Sequence, residues 1–476
     1  MRIVAASLAA SLLAACAAVG PDYVAPATDP VSFKNAGQPG FTAGEVDAAW
    51  WRQFEDPILD DLVARARAGN NDLAVALARL RQARALFSGS ERDRWPTVTA
   101  AAGYEGGRLA EAQTLPGQPR KFETYTTGFD ASWEIDLFGR VRRGIEAARA
   151  DTESAEASLR DVQVTLAGDV ARNYFQLRSA QRRLDVARQN LDNERETLRI
   201  TRARYDAGRG TELDVASATA RVQATEATVP PLEAEAKRAQ HRLAILTGVR
   251  PGELAVDLSP RAFPPLAKEI PIGRPEDLLR RRPDIRVAER NLAAATARVG
   301  VATADLFPRV TLTGFLGFVA TRGGALGSAG SSSWFGAPSL SWAAFDLGRA
   351  RDRLHASEAV ADQQLATYRQ TVLLALEETE NAFVNYGAAQ NQMQHLLEQA
   401  RYSARAAQIA QTRYREGVTD FLTLLDAQRT QLQAEDAVAQ AEAQVYTGVV
   451  AIYKALGGGW QRCADAACGV ALAGRR

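Results

Sequence analysis

Residues Ala410 to Gln431 read AQTRYREGVTDFLTLLDAQRTQ. This is the pattern of a long helix that stops, turns and starts again. Gly417 suits the left-handed position that follows a helix C-terminus, where a side chain would be strained. Thr419 or Asp420 suits the N-cap of the next helix. That helix opens with the apolar run Phe421-Leu422-Thr423-Leu424-Leu425, followed by one carboxylate, Asp426. The same device occurs earlier as Arg204-Tyr205-Asp206-Ala207-Gly208, followed by Thr211-Glu212-Leu213-Asp214. Tyr205 and Tyr414 are 209 residues apart, as are Gly208 and Gly417. A helix-turn-helix hairpin is therefore present twice.

Outward from these hairpins the repeat continues. Gly139-Arg140 opens a helical pattern without a breaker to Asp206, and Val170, Leu177, Leu184, Leu191, Leu198 and Tyr205 recur every seven residues. A sustained seven-residue repeat predicts a coiled-coil seam. The partner helix runs from the Gly208 turn to Leu246, with an interruption expected at Pro230-Pro231. Upstream, helical periodicity starts near Pro57 and runs to Arg92. Two strand-like stretches follow. Thr97 to Arg108 is the weaker. In Thr124 to Asp136, Tyr125, Thr127, Phe129, Ala131, Trp133 and Ile135 alternate with polar or small residues. Glu111 to Lys121 reads as a hydrophilic loop between them. In the second half, Pro283-Asp284-Ile285 matches Asn71-Asp72-Leu73, and Trp342 and Gly348-Arg349 match Trp133 and Gly139-Arg140. Strands are expected at Arg309 to Ala320 and Trp334 to Ala343, and helices at Asp352 to Arg415 and Asp420 to Leu456.

Composition bounds the function. The chain has 476 residues and net charge +1, which gives no electrostatic basis for binding nucleic acid. The N-terminus is a short positive end and an apolar stretch, a secretory signal over residues 1–15. It ends in Leu13-Ala14-Ala15-Cys16, which resembles a bacterial lipobox, so Cys16 is expected to become the lipidated first residue. By resemblance to Gram-negative lipoprotein sorting, Ala17 after that cysteine favours the outer membrane. Cys463 and Cys468 are candidates for a disulfide in an oxidising compartment, with two free thiols as the alternative. No metal site is expected, because these cysteines lack a nearby histidine and His241, His355 and His395 lie far apart. There is no Gly-rich phosphate loop after a strand. Neither a cofactor nor enzymatic activity is expected.

These elements constrain one another. Strands of about ten residues with aromatic, apolar faces suit an outer-membrane barrel. Four strands cannot close one, and open edges are not tolerated in lipid, so several chains must share it. The expected class is mainly α, with long coiled-coil helices and a transmembrane β-barrel portion. The boundaries read as residues 1–15 signal, 16–56 lipid-anchored segment, 57–248 first repeat, 249–274 proline-rich linker, 275–457 second repeat and 458–476 tail.

Ile270-Pro271, Leu278-Leu279-Arg280-Arg281-Arg282-Pro283-Asp284-Ile285, Tyr414-Arg415-Glu416-Gly417, Leu424-Leu425-Asp426-Ala427-Gln428 and Tyr453-Lys454-Ala455-Leu456-Gly457-Gly458-Gly459-Trp460 resemble the TolC-like outer-membrane efflux family. They are most similar to its lipoprotein branch serving resistance-nodulation-division pumps. The resemblance implies a homotrimer with a shared twelve-stranded barrel and a periplasmic α-helical barrel. It also implies docking, through a periplasmic adaptor protein, to an inner-membrane efflux pump. It implies a constriction where the hairpins turn, with Leu422 and Asp426 as its apolar and acidic rings. Tyr414, Gly417, Asp420, Tyr205 and Asp214 would hold that tip. Thr423 departs from members carrying a second acidic ring there. Asp426 has the alternative reading of a solvated helix residue, and Asp214 that of the N3 acid in a capping box begun by Thr211. Two other functions stay open at this point, a duct for protein secretion and, less favoured, a periplasmic adaptor lipoprotein.

Overall fold

The computed structural model describes residues 18–27, 32–37, 40–115, 117–266 and 269–460. Cys16, Cys463 and Cys468, and with them the lipidation and disulfide expectations, lie outside the described residues. In order, the elements are β1 (Phe41–Thr42), α1 (Pro57–Gly69), α2 (Asn71–Arg92), β2 (Thr97–Arg108), β3 (Lys121–Ile135), α3 (Arg140–Asp206), α4 (Glu212–Glu226) and α5 (Val229–Leu246). Then come β4 (Ile270–Pro271), α6 (Pro275–Arg281), α7 (Pro283–Ala304), β5 (Arg309–Ala320), β6 (Ser332–Ser341), α8 (Leu347–Arg415) and α9 (Phe421–Ala455). With 67 residues, α3 is about 100 Å long at ~1.5 Å per residue. Among the described residues no helix is long and apolar enough to cross a membrane.

The chain divides into two compact units that do not follow the sequence repeats. One comprises Met1–Ala27, Arg79–Glu156 and Val287–Gln370, the other Thr28–Ala78, Ala157–Arg286 and Thr371–Arg476. Each draws on both repeats. The reason is lateral pairing: β3 of the first repeat hydrogen-bonds to β5 of the second, so neither repeat completes a sheet alone.

The first unit holds an antiparallel sheet of order β2-β3-β5-β6. Register and the two-residue strand period place Val98, Ala100, Phe129, Trp133, Leu312, Leu316, Trp334 and Leu340 on one face. The other face carries Thr97, Thr99, Thr126, Asp130, Ser132, Glu134, Thr311, Thr313 and Ser339. On that polar side the Phe315 ring lies over Gly128, where an added Cβ would sit 2.8 Å from it. β2 and β6 are the two edges, each paired on one side only. Helices α3 and α7 are laced by polar contacts in this unit. Ser154 Oγ donates to Asn291 Oδ1 at 2.7 Å, and Arg290 bridges Glu153 at 2.9 Å. The N-terminal segment is strapped onto α3 by buried Arg143, which reaches Asp22 at 2.7 Å and the carbonyls of Val19 and Gly20.

The core of the second unit is aromatic. Trp50 stacks on Tyr453 at 5.3 Å and 6°, and Phe54 packs edge-on to Phe175 at 4.8 Å. Several expectations shift here for identifiable reasons. The break after α4 falls at Ala227 and Thr228, ahead of Pro230 and Pro231, because proline fits the first turn of a helix, whose N–H groups are unpaired anyway. The helical stretch from Pro57 is cut at Asn70, whose side chain caps α2 by accepting from Leu73 N–H and donates to Leu246 O at 3.0 Å. Residues 249–274 are not a free linker. Leu254, Val256, Leu258 and Phe263 pack on the core, Leu258 O and Ser259 O accept from Gln181 and Arg178, and β4 pairs in parallel with β1. In the first unit, β6 begins and ends two residues before the expected strand, and α8 starts at Leu347 rather than Asp352.

Candidate functional site

The two helix ends that opened the sequence reading have one geometry. In α3, Gly208 N–H donates to Tyr205 O at 2.9 Å and Arg209 N–H to Arg204 O at 2.8 Å. In α8, Gly417 N–H donates to Tyr414 O at 3.0 Å and Val418 N–H to Arg413 O at 2.9 Å. This pair of bonds is the Schellman cap, which satisfies carbonyls left over at a helix end. It requires a left-handed residue, supplied by Gly208 at φ +71° and Gly417 at φ +76°.

The helices that follow are capped by side chains, Thr211 for α4 and Asp420 for α9. Thr211 Oγ1 accepts from Asp214 N–H at 3.2 Å, and Asp214 Oδ2 accepts from Thr211 N–H at 3.0 Å, a reciprocal capping box. Asp214 is thereby engaged in starting α4. Asp420 caps α9, accepting from Thr423 N–H at 2.7 Å and Thr423 Oγ1–H at 3.0 Å. Those two donors hold the Asp420 carboxyl below the ordinary aspartate range. Thr423, where a second acidic ring was in doubt, spends its hydroxyl on this cap.

Between the caps lies a small sealed cluster of Ala218, Ala410, Tyr414, Phe421 and Leu424. Tyr414 is 5% exposed. Its hydroxyl lies 3.1 Å from Thr201 Oγ1, and Thr201 already donates its proton to Thr197 O, so the tyrosine must be the donor. Gln428 Nε2 donates to Thr197 Oγ1 at 2.9 Å. Arg204 covers the Tyr414 ring at 4.6 Å and donates to Tyr414 O. The first hairpin thus grips the second through Thr197, Thr201 and Arg204. Sequence reasoning does not assign these three a role at the tip. Arg204 had a signal, since it stands at the position of Arg413 in the repeat, but Thr197 and Thr201 are ordinary polar residues of a long helix.

Leu422 and Asp426 lie on the opposite face of α9. Leu422 is 59% exposed, and the Asp426 side chain is 67% exposed and paired with Arg429 at 2.5 Å. Tyr205 differs from its repeat mate, being 44% exposed and outside the cluster. The structure therefore gathers Tyr414, Gly417 and Asp420 at one helix end and sets Leu422 and Asp426 side by side on a free surface. Among the described residues no group of three His, Cys, Asp or Glu could hold a metal ion.

A sheet with one apolar face and two open edges, in one chain with capped pairs of very long helices, defines a channel-forming protein of the outer membrane. The family model described as outer membrane efflux protein matches residues 62–249 and again 275–458, and the chain belongs to that family. It is 34% identical to the solvent efflux pump outer membrane protein SrpC of Pseudomonas putida, over 86% of each chain. The solved outer-membrane channel OprN superposes with TM-score 0.89 at 52% identity, covering 93% of this chain and 99% of that one. The open-state MtrE channel of Neisseria gonorrhoeae gives 0.83 at 28%, covering 94% and 99%. The chain is an efflux channel of the TolC-like fold, and it acts at the outer membrane.

Proposed function

We propose that three copies of this chain close a twelve-stranded barrel edge to edge, β6 of one against β2 of the next, and form the outer-membrane duct of a tripartite pump. The observation that carries this is the sheet itself. It presents aromatic and aliphatic side chains on one face and leaves both edges unpaired. In hydrocarbon an open edge strands backbone groups at several kcal/mol each. Alternation of strand direction makes the β6–β2 junction antiparallel, like the other pairings. Twelve strands leave a lumen, whereas eight would be filled by side chains.

The long hairpins continue the duct through the periplasm to an adaptor and an inner-membrane pump. Threefold symmetry gathers three copies of Leu422 and Asp426 at its narrow end. Cys16 carries a lipid anchor in the outer membrane. The cargo is small and amphiphilic, in keeping with relatives named for solvent, toluene and antibiotic efflux.

The test is a cysteine scan along β2 and β6 combined with native mass measurement in detergent. A trimer that crosslinks covalently at matching β2–β6 positions is expected. A monomer that forms pores overturns the shared barrel. Recovery of a protein-secretion partner rather than an efflux pump from crosslinked cells would overturn the cargo class.

A further inference from the structure

The sheet of the first unit carries its aromatic side chains at two levels. At the end next to the long helices, the indoles of Trp133 and Trp342 donate to Arg94 O and Leu306 O, each at 3.0 Å. Towards the other end, Tyr104 and Tyr125 stand opposite each other on β2 and β3, with ring centroids 4.9 Å apart. The Tyr104 hydroxyl lies over Gly106, and the Tyr125 hydroxyl reaches towards Glu123 Oε2, 3.5 Å away. Both hydroxyls therefore point away from the helices. Aromatic girdles of this kind bound the apolar band of a transmembrane barrel, rings in hydrocarbon and polar tips in the interface. On β3, Trp133 and Tyr125 are separated by ~26 Å of strand, or ~20 Å of membrane normal at a tilt of ~40°, which is close to the height of such a band.

Beyond the tyrosines the same face ends in two cations. Register sets Arg108 directly opposite Lys121, and the strand period puts both on the side of Tyr104 and Tyr125. Both are exposed, and among the described residues neither forms an ion pair. The nearby carboxylates are engaged or turned away. Glu111 pairs with Arg120 in the loop, Glu123 lies by the Tyr125 hydroxyl, and the strand period puts Glu105 on the opposite face. Like charges directly opposite across a strand pair destabilise it, and an anion bridging them reverses the effect. The strand that would adjoin β2 cannot supply that anion, since residues 321–341, which run through β6, hold Arg322 as their one charged residue.

We propose that Arg108 and Lys121 hold the phosphate of an anionic lipid in the exterior leaflet, one lipid at each junction of β2 with β6 of the next copy. Arginine takes phosphate through its planar fork and lysine as a point charge. A lipid fits better than free phosphate, because the apolar face that receives acyl chains begins directly below the cations. It fits better than an acidic protein, because the cations share the side of Phe129 and Leu316 rather than the polar side. The inference rests on the barrel proposed above, which turns this face to lipid and this end outwards. Native mass spectrometry of the full-length protein in detergent, titrated with diphosphoryl lipid A, reads oligomer and bound lipid in one spectrum. Up to three lipids per trimer are expected, with affinity about thirtyfold lower in Arg108→Gln/Lys121→Gln. Arg108→Lys/Lys121→Arg, which keeps both charges, is expected to bind within a few-fold of the parent, and Lys237→Gln, on α5, to leave binding unchanged. Enzymatic removal of both phosphates from the lipid is expected to weaken binding as the double glutamine variant does. A trimer that binds lipid A equally with and without Arg108 and Lys121, or that binds the dephosphorylated lipid equally, overturns this inference and leaves the barrel standing. Full competition by inorganic phosphate overturns the choice of a lipid. A monomer in the spectrum overturns the shared barrel and the site with it.

Discussion

Asp426 and Leu422 stand one helical turn apart on the exposed face of α9, and Arg429 pairs with the acid. An exposed i,i+3 pair of this kind is worth only ~0–1 kcal/mol, so it sets charge rather than stability. At a narrow neck, charge decides which ions enter. Asp426→Ala is expected to reduce cation selectivity in planar bilayers, and Arg429→Ala to increase it. Equal reversal potentials for both variants and the parent would place the constriction elsewhere. Leu422→Ala, added to the first change, is expected to raise conductance by widening the neck. The motif carried Tyr414, Gly417 and Asp420 because a helix stop and start needs particular residue types at fixed spacing. It could not carry Thr201, since that threonine acquires its role only by meeting Tyr414 across 213 residues.

At the level of elements, each hairpin turn is a cap of one kind followed by a cap of another, and the parts are separable. Gly417 sits at φ +76° with Arg204 3.8 Å from the position of an added Cβ. Alanine there has room but adopts a left-handed backbone at a cost of ~1–2 kcal/mol. Gly417→Ala is therefore expected to loosen the α8–α9 turn, read as faster amide exchange at residues 413–423 with α9 beyond Gln440 unchanged. Exchange that rises uniformly along α9 would mean that the turn is not a local unit. The long helices and β3 were legible because their periodicities of seven and two run through many residues. β2 was weaker since alanine and glycine give little contrast between faces. Pro230 and Pro231 mark the α4–α5 break in the sequence, yet the chain breaks one turn earlier and uses them to restart. The β1–β4 pairing was invisible, because two residues of parallel bridge leave no pattern.

For the whole molecule, stability depends on a charged knot near the end of α9. Arg282 spans Asp284 and Glu378, each at 2.7 Å, and donates to Ala455 O. Burial, with Asp284 next in effect, raises the pKa of Asp161 beside them above its ordinary 3.8. A raised carboxyl in the fold means that ionisation is resisted, so this group lowers stability at neutral pH. The loss is recovered as pH falls through the raised value towards 3.8. Asp161→Asn is expected to melt above the parent at neutral pH and to match it at about pH 3, below both values. A difference in Tm that persists unchanged into acid would refute this. The pairing of β3 with β5 has a further consequence, for biogenesis. Ile135 waits for Val310, and the hairpin of β2 and β3 leaves the ribosome long before its neighbour exists. High contact order slows folding and prolongs the exposure of aggregation-prone surface. Until residues 309–320 are made, β3 keeps one unpaired edge beside its aromatic face, and a chain truncated after the first repeat carries that edge with nothing to complete it.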